Sequence, residues 1–471
     1  MSDLAFILSF KPEITWHELP TDESIVLQSR DRKLTFKRPT TGLRTALTTL
    51  HAGKGATNLE LSQIVQQADG IYELSTFNSH LTKLIGLGWI CHGIDSLATA
   101  IPLAQDFQFI VSKIDPEQSF TLSRFAYLHQ VKGQMILESS LSKAKVCLHD
   151  WRGAASIAKL TQPQTIAELA GIPTLTTEEI KQFLALLLAA GMLSIETSAV
   201  DSKSLEADNS LTQWDFHDLL FHTRSRQGRC DRAMGATYRF ADTIEPLPAV
   251  KPQMSSKTVQ LYKPNLKQPK AQDMSLTEAI ETRRSLKTYA QTPTTAQELG
   301  EFLYRTARVK QLVKTEQDEY TSRPYPSGGG LYELELYPLI DTCTGIDSGC
   351  YHYDPLNHQL CQLGKPTKDS ERLLKDAWYA SGQQDRPQIL IAIAARFPRL
   401  SWKYESIAYS LVLKHVGSLY QTMYLVATAM NLAPCALGSG NADLFAKVSG
   451  TNYYGESSVG EFILGSSPNP R

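Results

Sequence analysis

The sequence lacks several patterns that would point to common kinds of site. Its seven cysteines stand singly and include no C-x-x-C pair, so we expect reduced thiols, as in a cytoplasm, and neither a disulfide framework nor a zinc site. There is no nicotinamide-binding fingerprint. The formal net charge is −1, which gives no bulk attraction to DNA, RNA or an anionic membrane. We therefore expect no nucleic acid partner and no metal.

Features of membrane targeting are also missing. The N-terminus has neither the basic start nor the sustained apolar run of a signal peptide, and we expect a cytoplasmic protein. The longest apolar stretch, 407–430, is interrupted by Lys414, His415 and Gln421. This pattern predicts a core helix and no membrane span.

The first 200 residues show one pattern twice. Strand-like runs precede short amphipathic segments, which end at Gly88 in the first half and Gly191 in the second. The predicted helices are Leu43–Leu50, Asn58–Val65 and Thr76–Leu87, then Leu141–Leu148, a segment opened by the capping box Thr165–Glu168, and Glu178–Ala190. Because three short helices and a β-wing are typical of a winged helix, we expect two such modules, 1–100 and 101–200. An unrelated mixed α/β region is the alternative.

Charge argues against DNA binding by these modules. The expected recognition helix of the second module, Thr177–Ala190, carries Glu178, Glu179 and a single Lys181, whereas a helix facing phosphates should be basic. A winged-helix regulator is therefore disfavoured. We expect peptide recognition, in which a peptide can add a strand to an exposed sheet edge.

Residues 201–274 form a predicted connector. Polar residues dominate its start, and proline and lysine dominate 246–270. Between them, the aromatic and basic insert Asp215–Phe240 includes Arg224 and Arg226. We expect the insert to pack on the C-terminal domain, 275–471; a basic wall near a ligand is the alternative.

Two segments of the C-terminal domain offer hydrogen-bond donors. A capping box, Ser275–Glu278, opens a helix that leads into a cluster of donors suited to phosphate oxygens: Arg283, Arg284, Ser285 and Lys287. A basic helix C-terminus is the alternative for this cluster. Further on, the turn Gly438–Gly440 follows Leu437 and precedes a predicted helix, Ala442–Val448, so its N–H groups could face an anion. An ordinary helix–helix turn is equally consistent.

A glycine-rich segment and a lysine–tyrosine pair complete the set. The segment 324–330 contains three glycines before a predicted strand, Leu331–Ile340, and would let the backbone approach a flat ligand; a mobile surface turn is the alternative. A predicted buried strand, Gln388–Ala395, leads to Lys403 and Tyr404, which precede the long helix. We expect a lysine of lowered pKa that can take a proton, with a surface lysine beside a packing tyrosine as the alternative.

The order of these four motifs resembles the nitroreductase-like flavoprotein superfamily. Within it, the stretch 326–337 and the insert Phe221–Arg226 resemble the azoline oxidases of thiazole/oxazole-modified peptide biosynthesis, and the whole layout resembles a stand-alone cyanobactin thiazoline oxidase. The N-terminal modules resemble small winged-helix modules that bind leader peptides. The resemblance implies an α+β chain in which two tandem peptide-recognition modules precede an FMN domain.

The same resemblance implies roles for the motif residues. It places Arg283, Arg284, Ser285 and Lys287 at the FMN phosphate and ribityl chain, Pro326, Ser327, Gly328 and Gly329 against the isoalloxazine, and Leu437, Gly438 and Gly440 on the phosphate side. Lys403 and Tyr404 match the family's catalytic pair, either of them the base. It also implies a homodimer with each flavin between two protomers, an azoline peptide as substrate, and dioxygen as final electron acceptor.

Two other functions remain open at this stage. The chain could be an NAD(P)H nitroreductase, although such enzymes are compact and do not need 200 extra residues. Alternatively, it could be a catalytically inactive scaffold of the same fold that presents a peptide to a cyclase.

Overall fold

A computed structural model describes residues 4–19, 23–30, 32–196, 208–315 and 318–469. The chain divides into two units, Met1–Arg232 and Ala233–Arg471, so the boundary falls inside the expected connector. Most of the polar run at the start of that connector, 197–207, lies outside the described residues. Within the described part, no helix is both long and apolar enough to cross a membrane.

The N-terminal unit is a mixed α+β structure. Its strands are β1 (Ile7–Phe10), β2 (Thr15–Leu19), β3 (Ser24–Gln28), β4 (Lys33–Phe36), β5 (Ala56–Thr57), β6 (Ile90–Ile94), β7 (Ala98–Pro102), β8 (Ser119–Leu122), β9 (Ala126–Val131), β10 (Gln134–Ser139), β11 (Ala144–Leu148) and β12 (Leu193–Glu196). Its helices are α1 (Thr41–His51), α2 (Asn58–Asp69), α3 (Glu73–Gly86), α4 (Trp151–Lys159), α5 (Ile166–Leu169), α6 (Thr177–Ala189), α7 (Asn209–Thr212) and α8 (Phe216–Arg224).

The two halves of this unit share one sheet. Seven antiparallel strands run in the order β5-β1-β6-β7-β11-β10-β9, and the β6–β7 hairpin, the wing of the first half, pairs with β11 of the second. A separate three-stranded sheet, β2-β3-β4, precedes α1. The halves therefore repeat a strand–helix–strand order, and the sheet continues from one half into the other.

Most helices expected in this unit are present, but one prediction is wrong. The segment Leu141–Leu148 is not a helix, since Ala144–Leu148 forms β11. Four of its five residues are buried between strands β7 and β10, so sheet pairing outweighs the local helical spacing. The helix begins later, at α4, where the Asp150 side chain accepts a hydrogen bond from the Arg152 N–H.

The aromatic and basic insert falls on both sides of the unit boundary. In the N-terminal unit, Arg224 lies 3.4 Å from a carboxylate oxygen of the buried Glu138, and Arg229 donates to the carbonyl of Leu141. From residue 233 onward, the insert contacts the C-terminal unit, where the Ser406 hydroxyl donates to the carbonyl of Ala233 and the Thr237 hydroxyl donates to Glu405.

The C-terminal unit contains a second seven-stranded sheet. Its strands are β13 (Gly235–Ala236), β14 (Thr258–Gln260), β15 (Gln311–Lys314), β16 (Glu319–Ser322), β17 (Leu334–Ile340), β18 (Gly349–Asp354), β19 (Gln359–Gly364), β20 (Ile389–Arg396), β21 (Tyr404–Glu405), β22 (Leu432–Leu437) and β23 (Glu456–Ser466). Its helices are α9 (Lys267–Gln272), α10 (Leu276–Thr282), α11 (Ala296–Ala307), α12 (Lys368–Ala380), α13 (Phe397–Ser401), α14 (Ala408–Ala429) and α15 (Ala442–Ser449). The antiparallel order is β14-β19-β18-β17-β20-β23-β22.

Helices cover both faces of this sheet. Strand β20 is buried along its whole length, as its continuous apolar run predicts, and β17, which carries Glu335 within its sequence, is buried along its whole length as well. Along β17, Leu336 contributes to a core with α11 and α14, while Tyr337 points into the opposite core with α12 and α15. The expected long helix is confirmed as α14, whose 22 residues pack on one face of the sheet.

Candidate active site

The glycine-rich turn meets the lysine–tyrosine pair. Residues Gly328–Gly330 form a short 3₁₀ turn, in which Gly329 has a φ of +63°. A Cβ on Gly329 would lie 2.7 Å from the Tyr404 hydroxyl and 3.1 Å from Lys403 Nζ. The left-handed backbone conformation favours glycine here, and a side chain at this position would push against Tyr404 and Lys403. The structure thus brings together two motifs separated by more than 70 residues of sequence.

Aromatic rings surround the ammonium group of Lys403, which is 9% exposed. Its Nζ lies 5.2 Å from the ring centre of Tyr320, 5.4 Å from that of Tyr238 and 5.7 Å from that of Tyr404. Such distances allow cation–π attraction. The backbone around Lys403 is fixed by the pairing of β13 with β21 and by hydrogen bonds from Thr237 and Tyr238 to its carbonyl.

The expectation of a lowered pKa for Lys403 is wrong. Burial alone would lower the pKa, but a hydrogen bond with Tyr238 and the nearby hydroxyls of Tyr320, Tyr238 and Tyr404 raise it overall. The ammonium therefore keeps its proton at neutral pH. The pair lies before the long helix as predicted, with Tyr404 in the short strand β21.

Several side chains form hydrogen bonds with the glycine-rich turn and the residues that follow it. The Gly328 N–H donates to His415 Nε2 at 2.7 Å, and the Tyr332 N–H donates to Ser327 Oγ at 3.1 Å. The buried guanidinium of Arg399 donates to the carbonyl of Leu331. Pro326, which precedes the turn, is exposed.

A second group of predicted residues gathers at Tyr424 on α14. The Tyr424 hydroxyl is 2.8 Å from Ser285 Oγ and accepts a hydrogen bond from the Ala436 N–H at 2.8 Å. The guanidinium of Arg283 lies over the ring, 5.0 Å from its centre. Thus the donor cluster and the end of β22 come together as the motifs suggest. Helix α10 ends at Thr282, so the cluster lies in the segment that follows the helix and not in a basic last turn of it.

The donor cluster has the chemistry that a phosphate needs. Arg284 is exposed, while Arg283 and Lys287 are partly exposed. Among the described residues, no carboxylate forms an ion pair with any of the three. Their charges therefore remain available to an anionic ligand, and the cluster fits the phosphate of FMN.

The turn after β22 fits an anion less well. Gly438 is exposed, but Gly440 lies so close to the half-buried Glu461 that a Cβ would be 1.9 Å from the carboxylate. Glu461, Asp376 and Asp443 line a cavity of about 390 Å³ beside this turn. Burial raises the pKa of Glu461. The carboxyl groups make this cavity unsuitable for a phosphate. In β22, the N–H of Ala436 bonds to Tyr424, whereas Leu437 is buried in the core with α12 and α15.

Sequence reasoning missed five residues of the site: Tyr238, Tyr320, Glu333, His415 and Tyr424. The one sequence feature that could have indicated His415 is its position as a polar residue within an apolar helix. No metal site was expected, and within the described residues one group could hold an ion, the exposed Asp215, His217 and Asp218. These three residues lie in the N-terminal unit.

Three family models match consecutive parts of the chain. The ThcOx helix-turn-helix domain matches residues 1–111, the cyanobactin oxidase ThcOx model matches 120–231, and the nitroreductase family matches 280–465.

Two curated proteins resemble this chain. The nitroreductase-type protein MJ1384 of Methanocaldococcus jannaschii is 27% identical over 174 residues, which are 36% of this chain and 82% of that protein. The microcin B17-processing protein McbC of Escherichia coli is 31% identical over 117 residues, which are 23% of this chain and 42% of that protein. The match thus spans less than half the length of McbC.

Solved structures are more distant. The E. coli microcin synthetase McbBCD complex, with truncated pro-MccB17 bound, aligns over 53% of this chain and 91% of the matched chain, with 19% identity and a TM-score of 0.33. A nitroreductase of Exiguobacterium sibiricum in complex with FMN aligns over 42% and 90%, with 11% identity and a TM-score of 0.30. From the three family matches, the chain belongs to the cyanobactin oxidase ThcOx family, with an N-terminal helix-turn-helix domain and a C-terminal nitroreductase domain.

Proposed function

We propose that this chain oxidises thiazolines or oxazolines in a peptide to thiazoles or oxazoles, with non-covalent FMN, in cyanobactin-type biosynthesis. The observation that carries the proposal is the meeting of Lys403 and Tyr404 with Gly329 in a nitroreductase domain. The N-terminal match to the cyanobactin oxidase family favours a peptide substrate over a free small molecule.

The reaction removes two hydrogens from the azoline ring, one as a proton and one as a hydride. FMN, when bound, supplies the hydride acceptor. Because Lys403 keeps its proton, we assign the removal of the ring proton to the Tyr404 oxygen, which must first have given its own hydroxyl proton to solvent. The adjacent ammonium stabilises the negative charge that this oxygen then carries, and transfer of the ring proton to it restores the neutral hydroxyl. Dioxygen serves as the final electron acceptor.

We assign the two ends of the cofactor from the chemistry of these residues. Arg283, Arg284, Ser285 and Lys287 hold the phosphate and ribityl chain, whereas Pro326, Ser327, Gly328 and Gly329 face the ring system. Leu437 and Gly438 remain part of the phosphate side. Gly440 stays in this assignment as its weakest member, because Glu461 occupies the space beside it.

The position of the two clusters on α14 supports a homodimer. His415 adjoins the glycine-rich turn and Tyr424 adjoins the donor cluster. Tyr424 follows His415 by nine positions on the helix. At about 100° and 1.5 Å per residue, the two side chains leave the helix axis on roughly opposite sides and about 13 Å apart along it. The clusters therefore face different sides of one helix, as expected if each flavin contacts two protomers. Exposed apolar side chains on α14, Tyr409 and Leu413, are suited to such an interface.

The N-terminal unit offers an edge for a leader peptide. Strand β4 is an edge of the three-stranded sheet, and exposed cations flank it: Arg30, Arg32, Lys33, Lys37 and Arg38. We propose that the leader adds a strand here, through main-chain hydrogen bonds.

The direct test is mass spectrometry of an azoline peptide incubated with the purified, FMN-loaded protein in air. Loss of two hydrogens per ring, visible as a 2 Da decrease, is expected from the chemistry of the reaction. An unchanged peptide mass with a fully FMN-loaded protein contradicts the proposal.

The nitroreductase domain and the likeness to MJ1384 favour one other candidate, an NAD(P)H-dependent reductase. Under anaerobic conditions, rapid flavin bleaching by NADPH together with no bleaching by an azoline peptide would establish that candidate in place of the oxidase.

A further inference from the structure

A buried carboxylate and histidine lie directly behind the glycine-rich turn. His415 is 5% exposed and Glu333 is fully buried. His415 Nε2 lies 2.7 Å from the amide nitrogen of Gly328, and its Nδ1 lies 2.8 Å from Glu333 Oε1.

These contacts determine where the imidazole proton resides. An amide N–H can only donate, so His415 Nε2 must accept and carries no proton. The proton is then on Nδ1 and is donated to the Glu333 carboxylate. A carboxylate that holds one ring nitrogen fixes both the tautomer and the orientation of the histidine, as carboxylate–histidine pairs do in metal and protease sites.

His415 forms a hydrogen bond with a backbone group of the turn to which Ser327 and Arg399 do not bond. Ser327 Oγ and the Arg399 guanidinium bind later groups, the N–H of Tyr332 and the carbonyl of Leu331. Only His415, among the described residues, binds the Gly328 amide through a side chain. The next residue, Gly329, is the one that meets the lysine–tyrosine pair.

We propose that His415 and Glu333 are positioning residues of the active site. They hold the Gly328 amide in place and thereby set the distance between the turn and the lysine–tyrosine pair. This role rests on the proposed azoline oxidation, since the pair is the group that the turn must face. The histidine does not touch the reacting atoms and transfers no proton in the reaction.

Two substitutions separate this role from simple packing. His415→Leu keeps a buried side chain but removes both hydrogen bonds. His415→Gln restores an acceptor and a donor at a separation close to that of the two ring nitrogens. The matched control is His358→Leu, because His358 is also buried and also bonds at both nitrogens, to the Tyr353 hydroxyl and the Tyr262 carbonyl, but lies outside the turn.

The first readout is hydrogen exchange of the peptide containing Gly328, followed by mass spectrometry on the full-length protein without substrate. In His415→Leu the Gly328 amide should exchange roughly tenfold faster, as expected for the loss of one hydrogen bond. His415→Gln should restore slow exchange, and His358→Leu should leave this peptide unchanged. Wild-type exchange in His415→Leu overturns the proposal.

The second readout is the rate of flavin reduction by an azoline peptide in a single turnover. His415→Leu should bind FMN but react about 10²-fold more slowly, because a misplacement of about 1 Å has an effect of that size. His415→Gln should recover most of the rate. Equal loss in the Gln and Leu variants would mean that volume alone matters and would exclude a positioning role.

The two readouts also separate this proposal from the function on which it rests. If the wild type oxidises no azoline, the proposed function fails, while the exchange result still decides whether the histidine holds the turn. If His415→Leu does not fold, Glu333→Gln replaces it, since that change keeps the size of the side chain and removes the charge that orients the imidazole. Wild-type exchange and rate in Glu333→Gln would then refute the positioning role.

Discussion

The two units of the chain bury ionisable side chains very differently. In the N-terminal unit, Glu138 and His92 are the buried ionisable side chains among the described acidic, basic and histidine residues. The C-terminal unit buries many more: Asp318, Arg323, Glu333, Glu335, His352, Asp354, His358, Arg396, Arg399, Lys403, His415 and Glu456. Burying charge is costly unless each group is paired.

Part of that buried charge contacts the candidate active site. Arg399 and His415 form hydrogen bonds with the glycine-rich turn and the residue that follows it. Elsewhere in the sheet, Glu335 on β17 pairs with both His352 and Arg396. A unit that only needed stability could use apolar residues here. The comparison therefore indicates that buried charged groups in the C-terminal unit hold the residues of the candidate active site in position. The N-terminal unit instead has a mainly apolar core and sheets with exposed edge strands.

The largest effect should come from the lysine–tyrosine pair. Lys403→Ala and Tyr404→Phe should each keep the fold and FMN but lose about 10²- to 10⁴-fold in azoline oxidation, because proton transfer contributes that much. The double variant should be hardly slower than the slower single one, since residues that act as a unit are not additive. Steady-state kinetics with a peptide substrate checks this, and near-normal turnover of Lys403→Ala would leave it as a packing residue.

The next effect concerns stability and contrasts the two units. Arg399 and Asp318 form a buried ion pair at 2.7 Å, with side chains 1% and 3% exposed. Arg399→Met should destabilise the C-terminal unit by about 3–5 kcal/mol, because Asp318 is left buried without its partner. In the N-terminal unit, Lys181→Met removes the exposed pair with Glu178 and should cost under about 0.5 kcal/mol. Urea denaturation, followed by hydrogen exchange in each unit, measures both losses of stability. Equal losses in the two variants would contradict the difference between the units.

A third effect is confined to the N-terminal unit. Burial against Phe109 lowers the pKa of His92 from 6.5 to about 4. The unfolded chain takes up this proton below about pH 6.5, whereas the folded unit does so only near pH 4, so stability is lost as the pH falls through this window. The loss is roughly 3 kcal/mol. Unfolding curves between pH 4 and 7 should show that the free energy of unfolding falls as the pH is lowered in the wild type and changes less in His92→Leu. Identical pH dependence in the two proteins would exclude His92 as its cause.

The smallest of these effects concerns the cofactor. Arg284 is exposed and has no ion-pair partner among the described residues. Arg284→Ala should weaken FMN binding by about 1.5–3 kcal/mol, the value of one charge-assisted contact. Lys365→Ala, an exposed cation outside the cluster, is the matched control. Fluorescence titration with FMN measures both, and equal affinities in the two variants would remove Arg284 from the phosphate site.

Local patterns predicted the local parts of this molecule. The long apolar stretch of α14, the strand pattern of β17, the apolar run of β20 and the glycine-rich turn were all visible in the sequence. The error at β11 arose because pairing with strands distant in sequence decided the outcome.

The site itself depends on groups that no local pattern connects. Tyr238, Tyr320 and Tyr404 come from three segments, and together they reverse the expected pKa shift of Lys403. Likewise, Tyr424 joins the donor cluster to β22 across more than 130 residues of sequence. Such contacts follow from the tertiary fold alone.

The most direct measurement of the central claim is anaerobic single-turnover flavin reduction by an azoline peptide, followed by loss of the flavin absorbance. The wild type should bleach and release a peptide two hydrogens lighter, while Tyr404→Phe, equally loaded with FMN, should bleach at least about 10²-fold more slowly. Equal bleaching of the two proteins would contradict the role of the pair, and no bleaching of the loaded wild type would contradict the oxidase itself.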